Sequence, residues 1–295
     1  MDFLNLDSFC ILFKDEITTI KTLMSLGALK RGVRCPKCKD MMGCVLTEKK
    51  KVFRCSKHRC SKHELSYRTG SLFYGSLLKC RKIMMIARAW LQCESRDAAA
   101  RSAYVCKESV TTWYRYFREL VAGVLEEVGG KIGVRWVVVE IDETKLGKRK
   151  YHRGHRVDGV WVVCGIERTA ERRVFCVQVQ RRDSATLRAV IRQHVHEASI
   201  VYTDCWKGYE GIAEHCNVQH FTVNHSRYFR DPETGVCTNS VEGLNGALKA
   251  GVIPQHRTEK HAGASIATFV CRRANRSRLC EAFVDALRMY ANDEE

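Results

Sequence analysis

Apolar residues recur at helical spacing in the first part of the chain and give way to short alternating runs later. Residues 4–29 have apolar positions at helical spacing, and Gly27 and Gly32 mark the end of this segment. The pattern predicts one or two short helices. A longer helical region is predicted over residues 77–127, and it closes at Gly129–Gly130. The change of pattern at these glycines predicts a domain boundary.

The segment after these glycines has the pattern of an α/β domain. Its apolar runs predict strands at Val134–Thr144, Gly159–Ile166, Val174–Val179, Ile200–Asp204 and His220–Val223. A helix is predicted over Ser184–Glu197, before the fourth strand, and further helices follow the last strand. This order is expected of an RNase H-like fold, a mixed five-stranded sheet with flanking helices.

Charge points to the kind of partner. The 295 residues include 50 Lys and Arg against 33 Asp and Glu, and the net charge of +17 suits a polyanion such as nucleic acid. No apolar run approaches the roughly 18 residues that cross a bilayer, so no membrane partner is expected. The N-terminus lacks the pattern of a signal peptide, and the 16 cysteines are therefore expected to be reduced thiols or metal ligands.

Four of these cysteines have the spacing of a metal site. Cys35 and Cys38 form a two-residue knuckle, and Cys55 and Cys60 offer a second pair after 16 intervening residues. Four thiolates suit a closed, tetrahedral structural Zn²⁺. The second spacing is loose, so His58 competes with Cys60 as the last ligand, and ordinary free or buried thiols are the other interpretation.

The later half of the helical region has an apolar face and a basic face. Apolar residues at helical spacing are Val110, Trp113, Tyr114, Phe117, Val121 and Val124. The residues that face outward, and that we expect to contact DNA, are Lys107, Thr111, Thr112 and Arg115, with Arg118 beyond them. Together with an Ala-rich helix over Arg96–Ser102, this pattern predicts a helix-turn-helix whose second member enters the major groove. A three-helix packing or dimerisation unit is the alternative.

Three domains are therefore expected. Residues 1–75 hold the N-terminal helix and zinc ribbon, residues 76–130 the helix-turn-helix region, and residues 131–295 the catalytic domain.

Carboxylates near two predicted strand ends and on a later helix point to a second metal site. Strand alternation places Glu140 and Asp142 on one face, Asp204 ends another strand, and Glu242 follows on a helix. Burying an ionised carboxylate without a partner is costly, and Mg²⁺ or Mn²⁺ is a natural partner. Each acid alone is more simply a solvated or salt-bridged residue, and Glu140 remains a rival to Asp142.

Such a site would perform phosphoryl transfer. Two ions about 3.5–4 Å apart clamp the attacking and leaving oxygens of an in-line displacement, with water and then a 3′-hydroxyl as nucleophile. Asn239 and Lys249 share a helix side with Glu242. His225 and Lys249 are expected to lie near the scissile phosphate.

A basic segment without acids separates the first two predicted strands of this domain. Over residues 145–156 it predicts phosphate contacts, with a solvated loop as the alternative. The basic residues are Lys145, Lys148, Arg149, Lys150, Arg153 and Arg156.

Several motifs resemble the Merlin transposases of eukaryotes and related bacterial insertion-sequence transposases, over about residues 30–280. Besides the cysteine pairs, they are Ser66–Ser71, Glu140–Thr144, Thr203–Tyr209, Val223–Ser226, Asp231–Gly235 and Thr238–Gly243. The chain departs from these families at Cys237, where His is usual, at Asn245, where Trp is frequent, and in the stretched second cysteine spacing.

The resemblance implies cut-and-paste DNA transposition by an RNase H-like domain. It implies Asp142, Asp204 and Glu242 as the catalytic triad, a divalent metal, and double-stranded DNA as substrate, both the terminal inverted repeats and the target. It also implies a homo-oligomer on paired ends, and it favours Asp142 over Glu140. An RNase H-like nuclease that does not join strands, and a non-catalytic DNA-binding derivative, are the competing functions. A eukaryotic source would place the protein in the nucleus and a bacterial one in the cytoplasm at the nucleoid.

Overall fold

The computed structural model describes residues 2–60, 62–147, 159–224, 230–232 and 235–292. The chain forms two compact units, one of Met1–Val124 with Asn275–Glu295 and the other of Leu125–Ala274. The three domains expected from the sequence stay a prediction, but the end of the chain groups with the N-terminal unit and not with the segment that precedes it. Among the residues described, every helix is too short or too polar to span a bilayer.

The helices are numbered in chain order. They are α1 (Leu6–Leu12), α2 (Glu16–Ser25), α3 (Cys80–Leu91), α4 (Arg96–Ala103), α5 (Lys107–Val128), α6 (Ser184–His194), α7 (Ile212–Cys216), α8 (Asn239–Gly251), α9 (Glu259–Ala274) and α10 (Leu279–Asn292). The strands are β1 (Gly43–Leu46), β2 (Lys51–Arg54), β3 (Glu64–Ser66), β4 (Val138–Leu146), β5 (Val160–Glu167), β6 (Val174–Val179), β7 (Ile200–Asp204) and β8 (Gln219–Val223).

The first unit combines a small antiparallel sheet with helices around an aromatic core. The sheet has the order β1-β2-β3. The predicted apolar stripe of α5 is buried except at its last residue, Val124, which is half-buried. Phe117 packs against Trp90 of α3 and Phe283 of α10 with ring centroids 5.6 and 5.2 Å apart. This aromatic contact explains why α10 belongs to the first unit, since burying such side chains contributes much of a core's stability.

The second unit is built on a mixed five-stranded sheet with the order β6-β5-β4-β7-β8. Strand β4 is antiparallel to β5 and parallel to β7, and β7 is parallel to β8. One face of the sheet buries Val139 and Ile141 with Leu187 of α6, and the other buries Val162 with Leu244 of α8. The predicted α/β class with five strands is confirmed.

The strand boundaries agree closely with the sequence pattern, except at the start of β4. Residues 134–137 form a turn in which the Val137 N–H donates to the Val134 carbonyl, at 3.0 Å, and Trp136 has a φ of 68°. The apolar residues of this turn have the sequence pattern of a strand, but Val134 and Trp136 are exposed and are not part of the sheet. The extended strand therefore begins only at Val138.

Candidate catalytic site and cysteine cluster

The four predicted zinc ligands converge in the first unit. The Sγ atoms of Cys35, Cys38, Cys55 and Cys60 all lie within 4.8 Å of one another, and those of Cys38 and Cys55 are 3.5 Å apart. Tetrahedral zinc with Zn–S bonds of about 2.3 Å requires sulfurs roughly 3.8 Å apart. The donor set and its spacing therefore fit a structural zinc ion.

Local backbone structure explains the loose second spacing. A 3₁₀ turn over His58–Cys60 brings the buried Cys60 back to the cluster, while His58 is exposed and is not among the clustered ligands. The Cys55 N–H donates to the His63 carbonyl, at 2.9 Å, and closes the same loop. Of the two alternatives for the last ligand, the structure brings Cys60 to the cluster.

The thiols of the cluster differ in acidity. Burial raises the pKa of Cys60 to about 12. Burial also acts to raise the pKa of Cys35, but hydrogen bonds from the backbone N–H groups of Cys38 and Lys37 outweigh it and lower the pKa to about 7. Zinc binds thiolates, so loading this cluster releases protons.

In the second unit, Asp142 and Asp204 lie on neighbouring parallel strands. The β4–β7 register pairs Val138 with Ile200 and continues to the pair Glu140–Tyr202. The same offset carried two residues further sets Asp142 beside Asp204, on one face of the sheet. Both carboxylates are half-buried.

Glu140 lies two residues before Asp142 and has a fully enclosed side chain. Its carboxylate accepts hydrogen bonds from the N–H groups of Ser240 and Val241, at 2.7 and 3.0 Å, in the first turn of α8. Arg168 pairs with the other oxygen at 2.5 Å. The partial positive charge of a helix N-terminus favours such a carboxylate. Glu140 thus fastens the start of α8 to the central strand.

Helix α8 then runs beside Asp142. Asn245 donates to Oδ2 of Asp142 at 2.8 Å. Glu242 is three residues before Asn245, so it lies on the same side of α8, one turn closer to the helix start. Its side chain is exposed. Asn239 also lies in the first turn, and its Oδ1 is buried without a hydrogen bond.

Lys249 and His225 were also predicted near the site. Lys249 is exposed near the end of α8. His225 lies outside the described residues.

A fifth carboxylate, that of Glu143, lies on the opposite face of β4 from Asp142. The side chain of Glu143 is only 4% exposed and lies 3.6 Å from a guanidinium nitrogen of Arg182. Burial raises the pKa of Glu143, and the negative charges of Asp204 and Asp142 raise it further. Burial likewise raises the pKa of Tyr209, next to Glu143. The strand ends are therefore a region of concentrated negative charge.

The acids suit a hard divalent cation by their chemistry. Carboxylate oxygens are the ligands that Mg²⁺ and Mn²⁺ prefer, and a cation would offset the mutual repulsion of these acids. Over the part of the chain that the structure describes, only the cysteine cluster has three or more ligand atoms all within 4.8 Å of one another. The oxygens of Asp142, Asp204 and Glu242 are more widely spread than that.

Sequence reasoning missed several residues around this site. Arg168 carries no sequence signal, because its role depends on the end of β5 meeting Glu140. Asn245 stood out only as a departure from the resembling families, yet it holds Asp142. Glu143 is in the motif Glu140–Thr144, and strand alternation could have placed it on the opposite face from Asp142.

The predicted DNA contacts lie in different surroundings. On α5, Lys107, Thr111 and Arg115 are exposed and Thr112 is half-buried. The Lys145 ammonium lies 5.3 Å from the ring centroid of Trp161. The other predicted contacts of the basic segment, Lys148, Arg149, Lys150, Arg153 and Arg156, lie outside the described residues.

Comparison with known proteins agrees with the chemistry of the second unit. Residues 133–273 match the family model for the ISXO2-like transposase domain. An uncharacterised transposase-like protein of Haemophilus influenzae is 39% identical over 59 residues, which are 20% of this chain. The match spans 47% of that relative's length. Both findings make this chain similar to transposases.

Solved structures of the Mos1 transposase also match weakly. A paired-end complex with the left transposon end matches with a TM-score of 0.23 and 10% identity, over 68% of this chain and 78% of that one. A pre-cleavage Mos1 transpososome matches with a TM-score of 0.21 and 9% identity, over 71% of this chain and 78% of that one. Likeness at this level adds nothing to the assignment.

Proposed function

We propose that this chain is a DNA transposase that cuts and joins DNA strands at one divalent-metal site formed by Asp142, Asp204 and Glu242. One observation carries the proposal. Asp142 and Asp204 occupy equivalent positions on neighbouring parallel strands, and α8, which bears Glu242, is fastened beside them. All three lie in the segment that matches a transposase domain.

Each side chain around the site has a distinct role. Asp142, Asp204 and Glu242 are the metal ligands, two from strands and one from a helix. Bound Mg²⁺ or Mn²⁺ would supply charge stabilisation for an in-line displacement at phosphorus. Asn245 orients the Asp142 carboxylate. Glu140 is a positioning residue, because it is fully buried and both of its oxygens are engaged, one by two N–H groups of α8 and the other by Arg168.

The strand order supports the finer assignment to an RNase H-like fold. Three antiparallel strands are followed by two that run parallel to the first, and a helix precedes the fourth. The motifs Glu140–Thr144, Thr203–Tyr209 and Thr238–Gly243 support assignment to the Merlin-type transposases. The RNase H-like fold and the Merlin-type family are both part of the proposal.

The first unit supplies recognition of the DNA end. Zinc at the cysteine cluster holds the small sheet together, and α4 and α5 form a helix-turn-helix that reads the terminal inverted repeats. The turn between them is tight, with Tyr104 at a φ of 51°, and the first half of α5 exposes Lys107, Thr111 and Arg115. Two copies of the chain on paired ends would bring both repeats together.

A strand-transfer assay tests the proposal. Duplex fragments copied from either side of the coding region would be incubated with target plasmid and Mg²⁺ or Mn²⁺. We expect cleavage and joining by the wild type, loss of both in Asp204→Ala, and retention of both in Glu210→Ala, whose acid is exposed nearby. Cleavage without joining would favour a nuclease. Specific binding without cleavage would favour a non-catalytic DNA-binding derivative.

A further inference from the structure

A cluster of two indoles and two cations borders Asp204. The Arg182 guanidinium carbon lies 3.7 Å from the ring centroid of Trp161 and 5.0 Å from that of Trp206. The Lys145 ammonium lies 5.3 Å from the Trp161 centroid. Trp206 is only two residues beyond Asp204, and its backbone N–H donates to Oδ1 of that carboxylate at 3.0 Å. Trp161 and Lys145 lie on the face of the sheet that carries Glu143, opposite Asp142, so this aromatic-cation cluster meets the proposed catalytic site through Trp206, at the end of β7.

The Trp206 indole is held in place although it is exposed. Its Nε1 donates to the Arg182 carbonyl at 3.5 Å. A Cβ at Gly208 would lie 2.6 Å from Nε1, so a residue larger than glycine would displace the ring. Trp206 nevertheless remains 42% exposed. A large apolar ring that is fixed and exposed is available to a ligand with a flat apolar face.

The arginine of the cluster is also held in place. Arg182 is held by the ion pair with Glu143, and its side chain is 32% exposed. The ion pair with Glu143 explains where Arg182 lies. It does not explain why an exposed indole lies beside the arginine. A fixed aromatic face next to Arg and Lys combines a stacking surface with phosphate-binding charge, the pairing that binds single-stranded nucleic acid.

We propose that the aromatic-cation cluster binds an unpaired nucleotide of the DNA end, next to the phosphate that is cut. The base stacks on Trp206, and Arg182 and Lys145 contact its backbone phosphate. The nucleotide must be unpaired because neighbouring bases cover both faces of a base inside a duplex. This inference rests on the proposed function, since it takes the DNA end to lie at Asp204.

Binding without cleavage tests this inference. Affinity would be measured by fluorescence anisotropy in Ca²⁺, for a blunt duplex and for the same duplex with a short single-stranded overhang. We expect the wild type to bind the overhang at least about fivefold more tightly, which corresponds to one stacked base. Trp206→Ala should bind the two probes equally, and Trp206→Phe should keep most of the preference.

The chain contains a matched control. Trp136 is 59% exposed and has Arg135 over its ring at 5.2 Å, but it lies before the first residue of β4, whereas Lys145 of the cluster lies near the last. Trp136→Ala should keep the full preference for the overhang. A wild type without that preference, or an equal loss in the Trp136 and Trp206 variants, would overturn the inference.

The two proposals fail separately. Asp204→Asn keeps an acceptor for the Trp206 N–H and should keep the overhang preference while losing cleavage. Metal-dependent cleavage by a wild type that lacks the preference would leave the transposase proposal standing and remove only the stacking site.

Discussion

Glu140 and Asp142 face the same side of β4, yet their surroundings differ. Glu140 is fully buried and accepts two backbone N–H groups and an arginine. Asp142 is half-buried, and it accepts the Asn245 amide and the N–H of Glu143, both at 2.8 Å. A fully buried carboxylate with both oxygens engaged serves structure, whereas a partly exposed one can accept a ligand. At the scale of single residues, the sequence pattern alone could not separate the two.

Substitution should separate them by effect. Glu140→Ala leaves Arg168 and two α8 amides without their partner, so we expect the free energy of unfolding to fall by about 3 kcal/mol. Asp142→Asn should abolish cleavage and leave unfolding nearly unchanged. Urea denaturation and a cleavage assay measure the two effects. An Asp142→Asn protein that unfolds as readily as Glu140→Ala would contradict this division of roles.

At the scale of elements, the three short strands of the first unit depend on the cysteine cluster. Strands of three or four residues bury little apolar surface, so a metal is the natural source of their stability. We expect one zinc per chain, loss of it in Cys60→Ser, and loss of strand order on chelation. Metal analysis and circular dichroism measure these.

Two neighbours of the cluster serve as controls. Cys44→Ser, which alters an exposed cysteine of β1, and His58→Ala should both keep the metal. Retention of zinc by Cys60→Ser together with loss from His58→Ala would assign the fourth ligand to the histidine.

The start of α3 is capped from a distant helix. Glu16 of α2 accepts the N–H groups of Cys80 and Arg81, at 2.8 and 3.0 Å, and the Tyr67 hydroxyl at 3.2 Å. Arg68 lies 3.8 Å from the same carboxylate, and both side chains are largely buried. This network joins α2, α3 and the segment after β3.

We expect Glu16→Ala to lower the free energy of unfolding by roughly 1.5–3 kcal/mol, because hydrogen bonds to a charged, buried group are lost. Chemical denaturation measures the change, and Glu48→Ala is the control, since that acid is exposed in the β1–β2 turn. Equal stability of the two variants would show that the network contributes little.

At the scale of the whole molecule, the net charge of +17 predicts DNA binding that weakens steeply with salt. Lys107 and Arg115 of α5 should each contribute a phosphate contact. The double substitution Lys107→Ala, Arg115→Ala should reduce the slope of log K against log salt by roughly 1.8 in magnitude. A titration of duplex binding in NaCl measures the slope. Lys21→Ala, on the exposed side of α2, should leave it unchanged.

Local patterns predicted the sheet well, since alternation and run length gave β6 and β7 with the observed bounds. Cysteine spacing predicted the cluster because its ligands come in two local pairs. The Glu16 cap and the Glu140–Arg168 pair join residues 64 and 28 positions apart, and neither has a local signal. The grouping of α10 with the first unit depends on long-range aromatic packing in the same way.

The central claim is that three acids distant in sequence form one catalytic site. Its most direct test is the single-turnover rate of Mn²⁺-dependent cleavage in Asp142→Asn, Asp204→Asn and Glu242→Gln. Metal-mediated stabilisation is worth several kcal/mol, so each should lower the rate by about a thousandfold or more. Glu197→Gln and Glu214→Gln, at exposed acids of the same unit, should cleave as the wild type does. Near wild-type cleavage by any of the three site variants would contradict the claim.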